Sequence, residues 1–433
     1  MTTARVILWG KDIAAVTWDE ARAVGVFQYH PDFVHSGIQV APTTIPLGEG
    51  TFEFSSLAKE TFKGLPGLLA DSLPDKFGNA LIDAWLATQG RAPDSLNPVE
   101  RLCYIGTRGM GALEFKPTIA GAPTAKRNLQ VDRLVRLANK VLNARESLRG
   151  EFTGGDDADA IQDILRVGTS AGGARAKAIL AWNEDTGEFR SGQVDLGEGF
   201  TQWLMKFDGI GNNRDKELAD PQGYGLIEYA YHLMALECQI EMKRCRLHRE
   251  GGRAHFMTQR FDRTENNGKL HMQTLGALEH FDFNQAGAYS YEQAIAAMIK
   301  LNLPTKQIEQ QFRRATFNVV ARNQDDHVKN IAFLMNRDGE WKLSPAYDIA
   351  YSYNRSGAWT SQHQMSINGK RDNFGLSDLI ALASVGGIKK TKAKEIVDEV
   401  TRAVGDWARH AEASGVPQEA AQKIQATFRL GLL

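Results

Sequence analysis

The sequence predicts an α+β chain of two lobes, with a β-rich N-terminal subdomain in front and an all-helical lobe at the C-terminal end. Three observations predict this. Short apolar or alternating runs punctuated by Gly and Pro fill the first hundred or so residues; further strand-like runs recur at 178–182, 201–207 and 254–260; helical spacing dominates from 290 onward. At 433 residues the chain exceeds what one compact core usually takes. The expected division is 1–120, 121–257 and 258–433.

The elements follow in order. Residues 6–9 form an apolar run, Gly25-Val-Phe-Gln-Tyr alternates, and Thr51-Phe-Glu-Phe alternates again. Helices are expected at 65–69 and 78–86. The glycine-rich turn Arg108-Gly-Met-Gly-Ala leads into the strand Leu113-Glu-Phe, and 117–126, rich in Ala, Pro and Thr, reads as a linker. A helix at 129–148 carries Leu134, Leu137, Val141 and Leu142 near helical spacing, and the acidic stretch 151–159 reads as an exposed loop. A glycine-rich turn at 168–174 precedes the second group of strands. The helix at 225–244 has the clearest stripe, Ile227, Ala230, Tyr231, Met234 and Cys238. Helices at 290–301 and 304–320 lead to a hairpin, 331–335 and 341–343, turned by Asn336-Arg-Asp-Gly. Helices at 376–383, 393–413 and 418–430 close the chain.

Composition narrows the function. The formal net charge of -1 excludes a global field that would draw the protein to nucleic acid or membrane. The three cysteines, Cys103, Cys238 and Cys245, form neither a CxxC pair nor a disulfide framework, which suits a reducing compartment, and the two in the apolar 225–244 stretch and its end read as packing. No apolar run reaches transmembrane length, and the first residues lack a basic segment followed by a long apolar one. The expectation is a cytoplasmic protein.

A lobe of strands followed by a lobe of helices is a plan that can clamp a nucleotide, and phosphoryl transfer needs few parts: a phosphate loop, a cation, two metal ligands and one carboxylate to orient the attacking hydroxyl. The strongest candidate is Asn323-Gln-Asp-Asp-His-Val-Lys-Asn330, between a helix and the hairpin. Asp325 can align a hydroxyl or accept its proton. Asn330 offers a neutral oxygen to Mg²⁺, which prefers oxygen ligands. Lys329 can screen a transferring phosphoryl group. The hairpin ends in Leu343-Ser-Pro-Ala-Tyr-Asp348, where Asp348 supplies a second metal ligand. Taken singly, each residue also fits a solvated turn, and His327 fits a hydrogen-bonded structural histidine. Asp325, Asn330 and Asp348 in that order across a hairpin favour the chemical reading.

The phosphate-loop candidate is Val167-Gly-Thr-Ser-Ala-Gly-Gly-Ala-Arg-Ala-Lys177, whose small residues let backbone N–H groups approach anionic oxygens. Gly168, Ser170, Gly172, Gly173, Ala174 and Lys177 are the contacts expected of it, although it matches neither GxxxxGK[ST] nor GxGxxG and alone is equally a surface turn. Lys206, leaving the strand Trp203-Leu-Met, can reach phosphates or snorkel at a strand end. Glu228 can pair with Lys206 or simply suit the first turn of a helix. In Phe256-Met-Thr-Gln-Arg-Phe-Asp262, backbone groups from Gln259 to Phe261 can read an adenine edge, while Arg260 and Arg263 can be structural ion-pair partners.

These motifs, in this order, resemble the HipA family of toxin–antitoxin kinases. The likeness includes Gly64-Leu-Pro-Gly-Leu-Leu-Ala-Asp-Ser-Leu-Pro-Asp-Lys-Phe-Gly78, Arg108-Gly-Met-Gly-Ala-Leu-Glu-Phe115, Ser170-Ala-Gly-Gly-Ala-Arg-Ala-Lys177, Gln259-Arg-Phe-Asp-Arg263, Asp325-Asp-His-Val-Lys-Asn330 and Leu343-Ser-Pro-Ala-Tyr-Asp348. The resemblance implies a fold like that of protein kinases and phosphatidylinositol kinases, and a serine/threonine protein kinase using ATP and Mg²⁺. Asp325 would be the catalytic base with Lys329 beside it, Asn330 and Asp348 the metal ligands, and Lys206, Glu228, Gln259, Phe261 and His327 the nucleotide's neighbours. Ser170 falls on the family's autophosphorylated loop serine; phosphate placed there would repel the triphosphate. The implied partners are a HipB-like helix-turn-helix antitoxin, DNA indirectly through it, and a translation-related protein substrate such as an aminoacyl-tRNA synthetase, with a homodimer in the antitoxin complex also allowed. The HRD, DFG and APE signatures are absent. A corepressor without catalysis and a small-molecule or lipid kinase are the alternative readings.

Overall fold

The structure is a computed structural model that describes residues 1–92, 95–118, 129–143, 175–192, 198–209 and 223–432. Three antiparallel sheets organise it. The first has the order β4-β3-β2-β1-β5, with β1 Thr3–Leu8, β2 Lys11–Asp19, β3 Val24–Tyr29, β4 Thr51–Phe52 and β5 Leu113–Lys116. The second has the order β7-β6-β8-β10-β9, with β6 Lys177–Asn183, β7 Phe189–Ser191, β8 Phe200–Lys206, β9 Cys245–Glu250 and β10 Arg253–Gln259.

The third sheet corrects an expectation. Residues beyond 258 are not all-helical: the expected hairpin forms as β13 Ala332–Met335 and β14 Trp341–Leu343, and an unexpected strand, β11 His271–Thr274, joins it in the order β11-β13-β14. A short parallel pair joins β12 Tyr289–Ser290 to β15 Met365–Ser366. Every residue of β13 is buried, because it lies between two cores; Phe333 belongs to the helical one and Met335 to that of the first sheet. Burying a side chain of this size stabilises the fold by about 2 kcal/mol.

Local chemistry explains the helix boundaries that position the site. Asp75 caps helix Lys76–Thr88, its Oδ1 accepting from Gly78 N at 2.6 Å. Asn97 and Glu100 form a reciprocal capping box on Pro98–Ile105, and Ser290 with Gln293 forms another on Tyr291–Lys300. The helix expected at 225–244 spans Tyr224–Glu237 instead. Gln239 turns left-handed (φ +58°) and Ile240 N returns to Ala235 O, so the last carbonyls are satisfied and the chain leaves for β9. The helix expected at 393–413 breaks at Asp406 into Lys390–Gly405 and Trp407–Ser414.

Packing joins these parts. Helices Lys76–Thr88 and Val131–Asn143 cover the second sheet, sharing a core with Ala178, Trp203, Met205 and Met257. Helix Tyr224–Glu237 instead sends Ala230, Tyr231, Met234 and Ala235 into the large helical core with Phe312, Phe317 and Trp407. The first sheet's unit docks on the third sheet: Gly67 N donates to His280 Nε2 at 2.9 Å, Trp9 Nε1 to Lys269 O at 2.7 Å, and both His271 Nε2 and Gln273 Nε2 lie 3.0 Å from Val40 O. A Cβ at Gly67 would sit 2.2 Å from Ala277 O, so only glycine permits this approach. All three cysteines are buried and unbridged, and burial pushes the thiols of Cys103, Cys238 and Cys245 up to about 11, 12 and 12. No helix among the described residues is long and apolar enough to cross a membrane.

Candidate active site

Strand alternation builds the first half of the site. In β8, Trp203 and Met205 point into the core, so Lys206 emerges on the other face. Its ammonium contacts two carboxylates, those of Glu228 and Asp348, and does not snorkel to solvent. Glu228 arrives there because helix Tyr224–Glu237 approaches β10 unusually closely; a Cβ at Gly225 would lie 2.1 Å from Ala254 O. The other oxygen of Glu228 takes Arg175 at 3.1 Å, and the Arg175 guanidinium lies over the Tyr224 ring at 4.4 Å. Burial alone would depress the pKa of Lys206, yet Asp348 and Glu228 outweigh it and the ammonium is held above its ordinary value.

The second half follows helix Thr305–Val320. Arg322, left-handed at φ +57°, turns the chain, and the loop 323–327 runs into the 3₁₀ turn Val328–Asn330 and then β13. Two adjacent aspartates point in opposite directions. Asp326 is buried, accepting from Tyr291 OH at 2.7 Å and Gln364 N at 2.8 Å with His363 Nδ1 at 2.7 Å. Burial would raise its carboxyl pKa, but His363 and these donors hold it below the ordinary value. Asp325 therefore faces outward, its side chain 32% exposed. Its Oδ1 accepts from Trp359 Nε1 at 2.9 Å, and its backbone oxygen accepts from Asn330 Nδ2 at 2.7 Å. That bond commits the Asn330 amide nitrogen, so the amide oxygen is the atom that could coordinate an ion.

Asp348 sits in the left-handed region at φ +51°, where Asp is one of the few tolerated residues. Next to it, Tyr347 OH donates to Lys329 O at 2.5 Å, tying the Asp348 segment to the residue before Asn330. Lys206, Glu228 and Asp348 thus meet directly, Asn330 and Asp325 meet directly, and Tyr347 links the two groups. Among the described residues no three His, Cys, Asp or Glu side chains cluster closely enough to hold a metal.

The remaining candidates fall as follows. Gly168, Ser170, Gly172, Gly173 and Ala174 lie outside the described residues. Lys177, expected among phosphate contacts, is buried with its ammonium 3.1 Å from Asp75, linking β6 to the cap of helix Lys76–Thr88. Burial pushes the Asp75 carboxyl up, and Lys177 partly offsets this. The amides of Gln259 and Arg260 are already used, donating to Arg244 O and Gln202 O at 2.9 Å each, so these two N–H groups are not available to an adenine edge. Phe261 is buried and its ring lies 5.3 Å from that of Tyr347. Arg260 and Arg263 are structural: both pair with buried Asp262, which also accepts from Gly111 N at 2.7 Å and fixes the glycine-rich turn at 108–112 against β10. His327 caps the 3₁₀ turn, Nδ1 accepting from Lys329 N at 3.3 Å, with Nε2 3.8 Å from Asp325 Oδ1. The Lys329 ammonium lies over the Phe283 ring at 4.9 Å.

Sequence reasoning missed Arg175, Trp359 and Tyr347 as site neighbours. Tyr347 adjoins Asp348 and was accessible; nothing in the sequence connects Trp359 to a carboxylate 34 positions away. A cavity of about 450 Å³ lies elsewhere, lined by Asp208, Leu226, Arg249, Arg253 and neighbours. None of the candidate catalytic, metal-binding or nucleotide-binding residues lines it, and Asp208 is spent accepting from Gly223 N and Ala254 N. The side-chain constellation, rather than this cavity, is the candidate site.

Two family models match the chain: the HipA N-terminal domain over residues 4–116 and the HipA-like C-terminal domain over residues 169–408. Among solved structures, the chain is similar to the HipA of a Shewanella oneidensis MR-1 toxin–antitoxin complex with HipB and operator DNA. The TM-score is 0.67 at 17% identity, over 98% of this chain and 94% of that one, which shows the fold. A fainter likeness, TM-score 0.33 at 9% identity over 53% of this chain and 88% of that one, is to the Helicobacter pylori proinflammatory kinase CtkA. No curated protein sequence matches the chain.

Proposed function

This chain belongs to the HipA family, and from that premise we propose that it is a Mg-ATP-dependent serine/threonine protein kinase, the toxin of a toxin–antitoxin module. The observation that carries the proposal is the Lys206 ammonium bound by both Glu228 and Asp348, from a strand, a helix and a loop far apart in sequence. A lysine held between a helix glutamate and a partly exposed aspartate is arranged to reach phosphate oxygens while the aspartate takes a metal.

The donor set fits the ion. The Asn330 amide oxygen and the Asp348 carboxylate are hard oxygen ligands, and a site with few protein ligands suits Mg²⁺, which keeps waters and shares substrate phosphates. When bound, Mg²⁺ neutralises triphosphate charge. Asp325 aligns the acceptor hydroxyl and takes its proton as the new oxygen–phosphorus bond forms and the bond to departing ADP breaks. Lys329 screens the transferring group, with Glu228 orienting Lys206. The segment 168–174 is the proposed phosphate loop, and Ser170 in it the proposed autophosphorylation site. Phe261 and His327 flank the nucleotide. Residues 121–257 and 258–433 are the two lobes, with 1–120 in front.

The likeness to the HipA bound to HipB and operator DNA supports a HipB-like antitoxin as partner, with DNA reached through it. The substrate class is a cytosolic protein of translation. The test compares wild type with Asp325→Ala by intact mass, ADP formation and calorimetric ATP binding. Wild type should gain phosphate and form ADP; the variant should bind ATP and do neither. Equal phosphate transfer by both would overturn the assignment.

A further inference from the structure

Backbone and side-chain hydrogen bonds close a ring around Asp325. Trp359 donates its indole N–H to Asp325 Oδ1 at 2.9 Å. The carbonyl of Trp359 accepts from the side-chain amide of Gln364. That amide also lies 3.4 Å from the Gln324 carbonyl, and the Gln364 backbone N–H donates to Asp326 Oδ1 at 2.8 Å. Residues on either side of Asp325 thus grip Gln364, Gln364 grips Trp359, and Trp359 returns to the Asp325 carboxylate. Gln364 and Asp326 are both buried, and Asp326 is held again by Tyr291 and His363, so the ring rests on fixed groups.

Resting on the kinase reading, we infer that Trp359 is the positioning residue of the catalytic carboxylate. An aspartate carboxyl group rotates in a broad, roughly two-fold well about its last bond, so the backbone alone does not choose which oxygen meets a substrate. A bond from a neutral donor to a charged acceptor is among the stronger kinds, and here the donor is itself tied to the loop it orients. Trp359 fixes Oδ1 and turns Oδ2 toward the acceptor hydroxyl. His327 does not substitute for it, because 3.8 Å from Nε2 to the same oxygen exceeds hydrogen-bond reach. None of these contacts involves nucleotide or metal. The clamp is built from protein groups alone, the kind of arrangement electrostatic preorganisation uses.

The experiment uses the full chain and two variants, Trp359→Phe, which keeps an aromatic ring but loses the donor, and Asp325→Asn. With saturating Mg-ATP, Trp359→Phe should form ADP about ten- to a hundredfold more slowly, with KM for ATP changed by less than about twofold, because the lost contact acts on the base and not on the nucleotide. In ¹⁵N-labelled protein the indole signal lost in Trp359→Phe should move in Asp325→Asn. A wild-type rate in Trp359→Phe, or an indole signal unmoved in Asp325→Asn, overturns the inference. If Trp359→Phe melts early, the comparison of wild type with Asp325→Asn still decides, since it leaves the tryptophan in place. Wild type forming no more ADP than Asp325→Ala defeats the kinase reading, and the indole signal then decides separately whether the clamp exists.

Discussion

Replacing Glu228 with Gln removes one negative charge from a group of two cations and two anions, Arg175, Lys206, Glu228 and Asp348. The side chains of Arg175 and Glu228 are only 6% and 2% exposed, so water cannot make up the loss. At the 3.1 Å separation of Arg175 and Glu228, direct attraction is about 5 kcal/mol at an effective dielectric near 20. Desolvation offsets much of that, but a buried cation whose partner is removed costs about 3–5 kcal/mol. Lys206 keeps Asp348 and Arg175 keeps the Tyr224 ring, which places the loss near the lower end, about 3 kcal/mol. Trp182 and Trp203, with ring centroids 5.4 Å apart in the same sheet, report its unfolding by fluorescence. With a urea slope of about 3 kcal/mol per molar, the midpoint should fall by about 1 M. The double variant Lys206→Met/Glu228→Gln should lose less than the sum of the two single losses. A wild-type midpoint in Glu228→Gln, or strict additivity, would refute the coupling.

Asp348→Asn should weaken Mg-dependent ATP binding by about ten- to a hundredfold in calorimetry while leaving metal-free binding nearly unchanged; equal weakening in both would show that Asp348 acts through Lys206 alone. Stability should fall on acidification. Burial pushes the imidazoles of His232, His255 and His271 down to about 4, so between the unfolded value near 6.5 and about 4 the unfolded chain binds more protons. Stability present above that window is lost as pH falls through it, by about 1.4 kcal/mol per pH unit for each histidine, and a melting temperature flat from pH 7 to 4.5 would contradict this. Gly225→Ala should cost about 1–3 kcal/mol by forcing helix Tyr224–Glu237 away from Ala254 O, and should weaken ATP binding as Glu228 withdraws; unchanged melting and binding would refute the close-approach argument.

Much of the candidate site was legible because its residues stand where periodicity changes. Lys206 ends an apolar strand, Glu228 begins an apolar helix, and Asp325, Asn330 and Asp348 flank a hairpin with a readable turn. The helix that ends at Glu237 read too long because Gln239 takes the left-handed turn where glycine is the usual signal. The all-helical expectation for the last part failed because β11 and β13 pair across sixty-odd residues, and β13 is buried between the helical core and that of the first sheet. Lys177 has the same charge as Lys206 and lies beside it in register, yet one meets Asp75 and the other Glu228 and Asp348. Which anion a lysine finds is decided by packing of distant segments, and composition carries no trace of it.

The outward turn of one aspartate and the inward turn of its neighbour have a practical corollary for anyone making an inert version of this protein. In a mutagenesis library scored by survival of the host, changes at 325 and 326 would be recovered together and look alike. On the kinase reading, the first should yield an intact, inactive molecule fit to serve as bait for an antitoxin or a substrate. The second empties the hub shared by Tyr291, His363 and Gln364 and yields material that is quiet only because it is misassembled.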